Sequence, residues 1–147
     1  MTQQKRDIVH FKNSNFYILD DLLCEYFEAF PDRMHKTPFI MTSLWRGYFA
    51  EFEIINAEFL IRSLKRFIHY DRKNNEFVVE DVTEKSFPLS KKLDFITAFI
   101  RADENYSNSP EKPFRFIKIE NGNLMQEIDM DYSEYLKLKN ETTIRMY

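Results

Sequence analysis

Catalysis or metal binding would first be sought at one pair of glutamates, Glu51 and Glu53, and at the three histidines of the chain. Glu51 and Glu53 lie two positions apart in an alternating segment, which places both carboxylates on one face of a strand. Such a pair can work as acid and base, but the same spacing is typical of any solvent-facing strand. His10, His35 and His69 have no second ligand at three- or four-residue spacing, so we expect no metal site.

Other catalytic motifs are missing from the sequence. No serine or cysteine stands in a nucleophile elbow, and the two glycines are too few for a phosphate-binding loop. The single cysteine, Cys24, has no histidine or basic cluster beside it, so we predict a small packing residue and not a nucleophile. We therefore expect a protein that is not an enzyme and that needs no cofactor.

Basic and aromatic residues alternate in one segment that could bind nucleic acid. Single-stranded nucleic acid is bound by grooves that combine positive charge with stacking rings. A plain basic patch on a sheet edge, where Lys and Arg discourage strand addition, is the alternative that we favour. The segment, residues 62–73, contains Arg62, Lys65, Arg66, Arg72 and Lys73, interleaved with Phe67, His69 and Tyr70.

Length and composition indicate a single globular domain that spans residues 1–147. Hydrophobic residues make up 44% of the chain and aromatic residues 16%, which is too much for a disordered protein. A lone cysteine forms no internal disulfide, and no apolar run has the length of a signal peptide core or a bilayer span. We therefore expect a soluble cytoplasmic protein without a membrane partner.

The charge is distributed unevenly along the chain. Residues 1–73 carry 11 Lys and Arg against 10 Asp and Glu, whereas residues 74–147 carry 10 against 14. An acidic half repels nucleic acid, which is therefore an unlikely partner, and attracts a basic protein. A solvated acidic surface without a partner is the alternative.

Apolar runs separated by turn residues predict most of the sheet. The clearest signal is Asn121-Gly122, because these residues readily adopt the two positive φ angles of a type I′ hairpin turn. A helix through 49–66 is the alternative for the longest run, which otherwise alternates as a strand. The predicted hairpins join 8–12 to 16–19 around 13–15, 48–55 to 59–64 at Asn56-Ala57 or at 56–58, 68–71 to 77–79 around 72–75, and 114–120 to 124–128.

Helical spacing appears in three places. Residues 22–30 follow the potential caps Asp20 and Asp21 and precede Pro31, and Asp131 with Glu134 resembles a capping box for a last short helix. Residues 87–101 also show helical spacing, although their β-branched content leaves a strand open, and 101–113 reads as a long exposed loop. The fold class that follows is α+β, with a single curled antiparallel β-sheet of about five to seven strands and two or three short helices.

One segment of the sequence gives a more specific indication of the protein family than the composition does. Residues 42–54, TSLWRGYFAEFEI, resemble the T-x-x-W-R-G-Y-x-A-x-W-E-I signature of a family of small, largely uncharacterised bacterial proteins. The flanking regions 16–31, 119–124 and 132–135 also resemble this family. The chain departs from the signature at Phe52, where Trp is usual, and at Asn56-Ala57, where a short D-G turn is usual.

The resemblance implies a common fold but no catalytic residues. Members of the family are similar to the immunity proteins, or antitoxins, that accompany polymorphic bacterial toxins. The partner implied is a cognate toxin, which the acidic half suggests is basic. The preferred surface for binding it is the acidic patch formed by Glu127, Asp129, Asp131, Tyr132, Glu134 and Tyr135. The alternative function is a small-molecule-binding or nucleic-acid-binding domain, which would use a ligand site formed by Trp45, Arg46 and Tyr48 together with the basic segment 62–73.

Overall fold

The chain folds mainly into strands, as its alternating hydrophobic pattern predicts. A computed structural model describes residues 6–18, 21–33, 47–102 and 114–147. Within these ranges, nine strands belong to one sheet. They are β1 (Asp7–Phe11), β2 (Ser14–Ile18), β3 (Tyr48–Ile55), β4 (Glu58–Asp71), β5 (Glu76–Asp81), β6 (Ala98–Arg101), β7 (Phe114–Glu120), β8 (Asn123–Met130) and β9 (Arg145–Met146).

Three short α-helices accompany the sheet in the described ranges: α1 (Cys24–Ala29), α2 (Thr83–Ser86) and α3 (Tyr132–Glu141). Asp21 Oδ1 accepts a hydrogen bond from the Leu23 amide at 3.1 Å just before α1. Asp131 Oδ1 accepts one from the Glu134 amide at 2.8 Å and so caps α3. The predicted helices at 22–30 and after Asp131 are therefore confirmed. None of the described helices is long and apolar enough to cross a bilayer.

The α+β class is confirmed, but the predicted form of the sheet is wrong. The strand order is β2-β1-β3-β4-β8-β7-β6-β9, with β5 paired to β4, so the sheet is larger than expected and open at both ends instead of curled. It is also mixed, because β1 lies parallel to β3 and β9 lies parallel to β6. Turn residues reveal hairpins, which are antiparallel, and they carry no information about parallel pairs between distant segments.

The predicted hairpins are present, and their turns explain why. In three two-residue turns both central residues have positive φ angles, which match the right-handed twist of the flanking strands. The first turn lies one residue earlier than the Asn13-Ser14-Asn15 cluster suggested. These turns are Lys12-Asn13 (50° and 63°), Asn56-Ala57 (53° and 63°) and Asn121-Gly122 (49° and 77°).

The segment 49–66, for which a helix was the alternative, lies in β3, the Asn56-Ala57 turn and the first part of β4. Tyr48, Ala50 and Phe52 are buried and alternate with half-buried residues, as a strand with one face on a core requires. Strand β4 continues without a break to Asp71, and it pairs first with β3 and then with β5. Two short strands predicted at 59–64 and 68–71 are thus one long strand.

Of the helix and the strand left open for 87–101, the strand is present in part and the helix is absent. Residues 98–101 form β6, and the preceding segment runs along the edge of β4. The Leu93 amide donates to the Phe59 carbonyl at 3.0 Å, and the Ile61 amide donates to the Lys91 carbonyl at 2.9 Å. These hydrogen bonds satisfy backbone amide and carbonyl groups of the segment that would otherwise bond to each other within a helix. Of the predicted loop at 101–113, residues 103–113 lie outside the described ranges.

Buried side chains form two clusters on opposite faces of β7. Ile117 and Ile119 belong to the larger cluster, which includes the stacked rings of Phe52 and Phe59 with centroids 5.2 Å apart. Phe116 belongs to the smaller cluster, against which side chains of α3 pack. Helix α3 therefore covers the face of β7 and β8 that the larger core does not use.

The Asn121-Gly122 turn lies where the β2-β1-β3-β4 part of the sheet meets the β8-β7-β6-β9 part. Strands β4 and β8 meet in a single residue pair, Glu58 with Asn123. Beside it, the Gly122 carbonyl accepts from the Phe59 amide at 2.8 Å and the Gly122 amide donates to the Ile96 carbonyl at 3.0 Å. The Asn121-Gly122 turn is thus a structural joint as well as a hairpin connection.

Replacing Asp81 by alanine should destabilise the protein at neutral pH but not at strongly acid pH. The Thr83 hydroxyl and amide donate to Asp81 Oδ1 at 2.6 and 2.9 Å and hold the pKa of this carboxyl below its ordinary value. Its stabilisation is therefore present above about pH 4 and is lost as the pH falls through the lowered pKa.

Because Asp81 is an exposed side chain, we expect Asp81→Ala to cost about 1 kcal/mol or less at pH 7. Thermal unfolding of both proteins at pH 7 and at pH 2.5 (an acid condition well below the ordinary carboxyl value) measures the difference. A stability difference between the two proteins that is the same at both pH values would contradict the role assigned to the ionised carboxylate.

Candidate binding surface

The six residues predicted as the acidic patch come from the end of β8 and the start of α3, but the fold separates them. In the β7–β8 pair, Arg115 lies opposite Asp129 and Ile117 opposite Glu127, so these side chains share the face of the larger core. Phe116 and Met130 lie on the other face, where α3 packs. A contiguous run in sequence therefore becomes two surfaces.

On the first face, the acidic side chains are paired with basic ones. Glu127 Oε2 lies 2.6 Å from Lys12 Nζ, and Glu127 Oε1 lies 3.4 Å from an Arg115 guanidinium nitrogen. Asp129 Oδ1 lies 3.6 Å from Arg115 Nε. These ion pairs reduce the negative potential that the sequence alone suggested, most of all around Glu127. Sequence reading missed them because Lys12 is distant along the chain.

Two residues of the predicted patch have structural roles. The ring of Tyr135 stacks on Phe114 and Phe116, with centroids 5.0 and 5.8 Å apart, and so holds α3 on the sheet. Asp131 caps α3. The helical position four residues after the cap could have identified Tyr135 as a packing residue.

Of the remaining residues, Asp129 is exposed on the face of the larger core, beside Arg115. Tyr132 and Glu134 are exposed on α3, and with the exposed Leu136 they form what we call the α3 surface. Tyr132 is 60% exposed and Leu136 is 38% exposed. They are four residues apart on one helix, so both lie on the same side of α3. Sequence reading missed Leu136, although its spacing from Tyr132 could have revealed it.

The alternative ligand site is described in part. Trp45 and Arg46 lie outside the described residues, whereas Tyr48 begins β3 and is 6% exposed. Its hydroxyl donates to an Asp21 carboxylate oxygen, and its ring contacts Phe27 edge-on at 5.2 Å. These contacts make Tyr48 part of the packing between α1 and the sheet.

The two glutamates of β3 meet a histidine of β1. Glu51 and Glu53 lie on the face opposite the buried Phe52, and His10 is the register partner of Glu53. His10 Nε2 is 3.6 Å from Glu51 Oε2, and His10 Nδ1 is 2.6 Å from Asn15 Oδ1. The cluster is thus a cross-strand contact on a sheet face. Across the described ranges, no group of three or more His, Cys, Asp or Glu side chains has a metal-binding arrangement.

Cys24 is exposed, so the prediction that it is a packing residue is wrong. Partial desolvation of its thiol, the Asp21 charge and a 3.6 Å hydrogen bond to Glu28 Oε1 raise the pKa of Cys24 above its ordinary value. A raised pKa lowers the fraction of thiolate, which is the nucleophilic form.

Acidic partners also accompany the basic 62–73 segment. Arg66 donates to Glu80 Oε2 from Nε at 3.1 Å and from a terminal nitrogen at 2.9 Å, and Lys65 is the register partner of Asp81. Arg72 and Lys73 are exposed at the turn between β4 and β5. Because β5 places carboxylates beside Lys65 and Arg66, the segment attracts phosphate less than its composition suggested.

No protein-family model matches the chain, and neither a curated protein nor a solved structure matches it. The resemblance of residues 42–54 to the bacterial signature therefore stays a prediction.

Proposed function

We propose that this protein is a non-enzymatic binding protein that neutralises a basic bacterial toxin by direct contact, as an immunity protein does. The observation that carries the proposal is the α3 surface, where the 60% exposed ring of Tyr132 shares one short helix with the exposed Leu136 and Glu134. Its second support is the resemblance of residues 42–54 to the bacterial signature. The acidic second half of the chain agrees with a basic partner.

The α3 surface has the composition of a protein interface. Exposed aromatic side chains are frequent anchors because they bury a large area when a partner binds. Leu136 extends the apolar strip from Tyr132 along the helix, and α3 itself contributes no fully buried side chain to the fold. Glu134 on α3, and Asp129 at the end of the adjoining strand β8, add negative charge that speeds association with a basic surface at low salt.

The partner to test is the product of a toxin-like reading frame next to this gene. Coexpression with this protein should rescue growth of cells that express the toxin, and the two proteins should copurify. Failure of both rescue and copurification would contradict the proposal. Rescue without any complex would contradict direct binding.

Reversing two charges of the predicted acidic patch, Asp129 on β8 and Glu134 on α3, should abolish rescue without unfolding the protein. Asp129→Lys with Glu134→Lys removes the attraction for a basic partner and replaces it with repulsion. Asp131 is left unchanged, because it caps α3 and its replacement would cost about 0.5–2 kcal/mol of stability. We expect the association rate to fall at least tenfold at low salt, measured by surface plasmon resonance.

A matched control changes the net charge equally at a different place. Glu76→Lys with Glu120→Lys alters exposed residues of β5 and β7. Glu120 lies at the opposite end of β7 from Phe114, about 20 Å away at the usual strand rise. This control should keep rescue and binding. Equal loss in both double variants would show that overall charge matters and that the α3 surface does not bind the partner.

A further inference from the structure

A cavity of about 310 Å³ opens beside α1. Its wall comes from three segments that are distant in the sequence: Leu22 and Glu25 around the start of α1, residues 95–98, and residues 143–145 with Tyr147. None of the residues of the α3 surface lines it. The cavity is therefore a separate feature from the proposed toxin-binding surface.

The lining changes from apolar inside to polar at the mouth. Leu22, Ile96 and Ala98 are 3%, 6% and 1% exposed, so they form the inner wall. Glu25, Thr143 and Arg145 are exposed and surround the opening. Small-molecule sites typically have this arrangement, in which an apolar wall holds the body of the ligand and a few polar groups fix its orientation.

Arg145 is the cationic group at the mouth. Its guanidinium lies 2.8 Å from Glu25 Oε1 and 5.1 Å from the centre of the Tyr147 ring. The Glu25 side chain is 76% exposed and that of Arg145 is 54% exposed. An ion pair this exposed contributes little to stability, so another carboxylate can replace that of Glu25 at small cost.

We infer that this cavity binds a small organic acid with an aromatic or branched aliphatic body. The carboxylate of the ligand pairs with Arg145, whose planar guanidinium matches the two oxygens of a carboxylate. The apolar body lies against Leu22, Ile96 and Ala98. The cavity volume is at the lower end of the range for small-molecule sites, which agrees with a small organic acid as the ligand.

Three probes of the same shape test the inference by NMR titration of isotope-labelled protein. They are 3-phenylpropionate, its neutral amide and 3-phenylpropylamine. We expect the acid to cause saturable shifts at residues 95–98 and 143–147. The amide should bind at least tenfold more weakly, and the amine should cause no saturable shift. Absence of saturable shifts with the acid, or equal affinity for acid and amide, would overturn the inference.

Two variants assign the roles of the charged pair at the mouth. Arg145→Gln should remove the preference for the acid over the amide. Glu25→Gln should instead tighten binding of the acid several-fold, because it removes the carboxylate that competes for Arg145. The second variant keeps the inference testable if the first one folds poorly. Unchanged or weaker binding in Glu25→Gln would overturn the proposed competition.

The matched control is Arg115→Gln, which removes another exposed arginine that is paired with carboxylates. It should leave the affinity for 3-phenylpropionate unchanged. A similar loss in Arg115→Gln and Arg145→Gln would mean that the acid responds to overall positive charge, which would overturn the assignment to the cavity.

Discussion

Replacing Gly122 by alanine should destabilise the protein by at least about 3 kcal/mol. A side chain at φ +77° costs about 1–2 kcal/mol through backbone strain alone. In addition, a Cβ atom at this position would lie 2.7 Å from the Leu93 carbonyl oxygen and 2.9 Å from Asp94 Cα. Both contacts are with backbone, which cannot turn aside as a flexible side chain would. Chemical denaturation monitored by circular dichroism measures the loss.

Asn121→Ala separates the two contributions to that loss. Asn121 also has a positive φ angle, 49°, but it is exposed and the change adds no atoms. We therefore expect a loss of about 1 kcal/mol, from backbone strain alone. If Gly122→Ala costs no more than Asn121→Ala, the backbone at 93–94 yields freely, and the joint between β4 and β8 is less rigid than described.

Replacing Phe52 by alanine should cost about 3–5 kcal/mol, as removal of a large buried aromatic side chain usually does. Phe52 has no exposed surface, and its ring stacks on Phe59 at 5.2 Å. Phe77→Ala is the control, since Phe77 is 53% exposed on β5, and it should cost about 1 kcal/mol or less. Similar losses in both variants would contradict the central position of Phe52 in the core.

A tryptophan at position 52 tests one difference between this chain and the bacterial signature that residues 42–54 resemble. The signature has Trp where this chain has Phe52, and Phe52 fits without exposed surface. Phe52→Trp should therefore overpack the core and cost about 1–3 kcal/mol. Unchanged or increased stability, measured by the same denaturation, would show that the core retains room for the larger ring.

The hairpins could be predicted because their determinants are local. Tyr48, Ala50 and Phe52 alternate along β3, and Asn121-Gly122 fixes its turn through backbone conformation. The pairing of Ile8 with Glu51 in the parallel β1–β3 ladder has no such local determinant. Strand direction and strand number therefore required the structure.

The segment before β6 shows why burial is easier to predict than backbone conformation. Leu93 and Ile96 are buried, as their helical spacing suggested. They reach the core from an irregular segment, however, because the edge of β4 supplies its hydrogen bonds. A spacing of three residues identifies which side chains point inward but not how the backbone places them there.

The candidate site could be predicted in part for a similar reason. Asp129 and Tyr135 are close in sequence, but strand alternation and the cap at Asp131 direct them to different faces. The pair of Glu25 with Arg145 joins residues that are 120 positions apart. No spacing rule reveals such a pair, so the cavity beside α1 became visible in the fold alone.

The two-residue strand β9 also bears on how the protein avoids aggregation. Strand β6 is apolar, with Ala98, Phe99 and Ile100 all buried, and β9 occupies the edge that β7 does not use. The Tyr147 amide donates to the Phe99 carbonyl at 2.8 Å, and the Arg101 amide donates to the Tyr147 carbonyl at 3.0 Å. These bonds occupy groups that would otherwise accept a strand from another molecule. A strand of two residues that carries the charged side chain of Arg145 leaves little open edge of its own, so β9 protects the sheet from self-association.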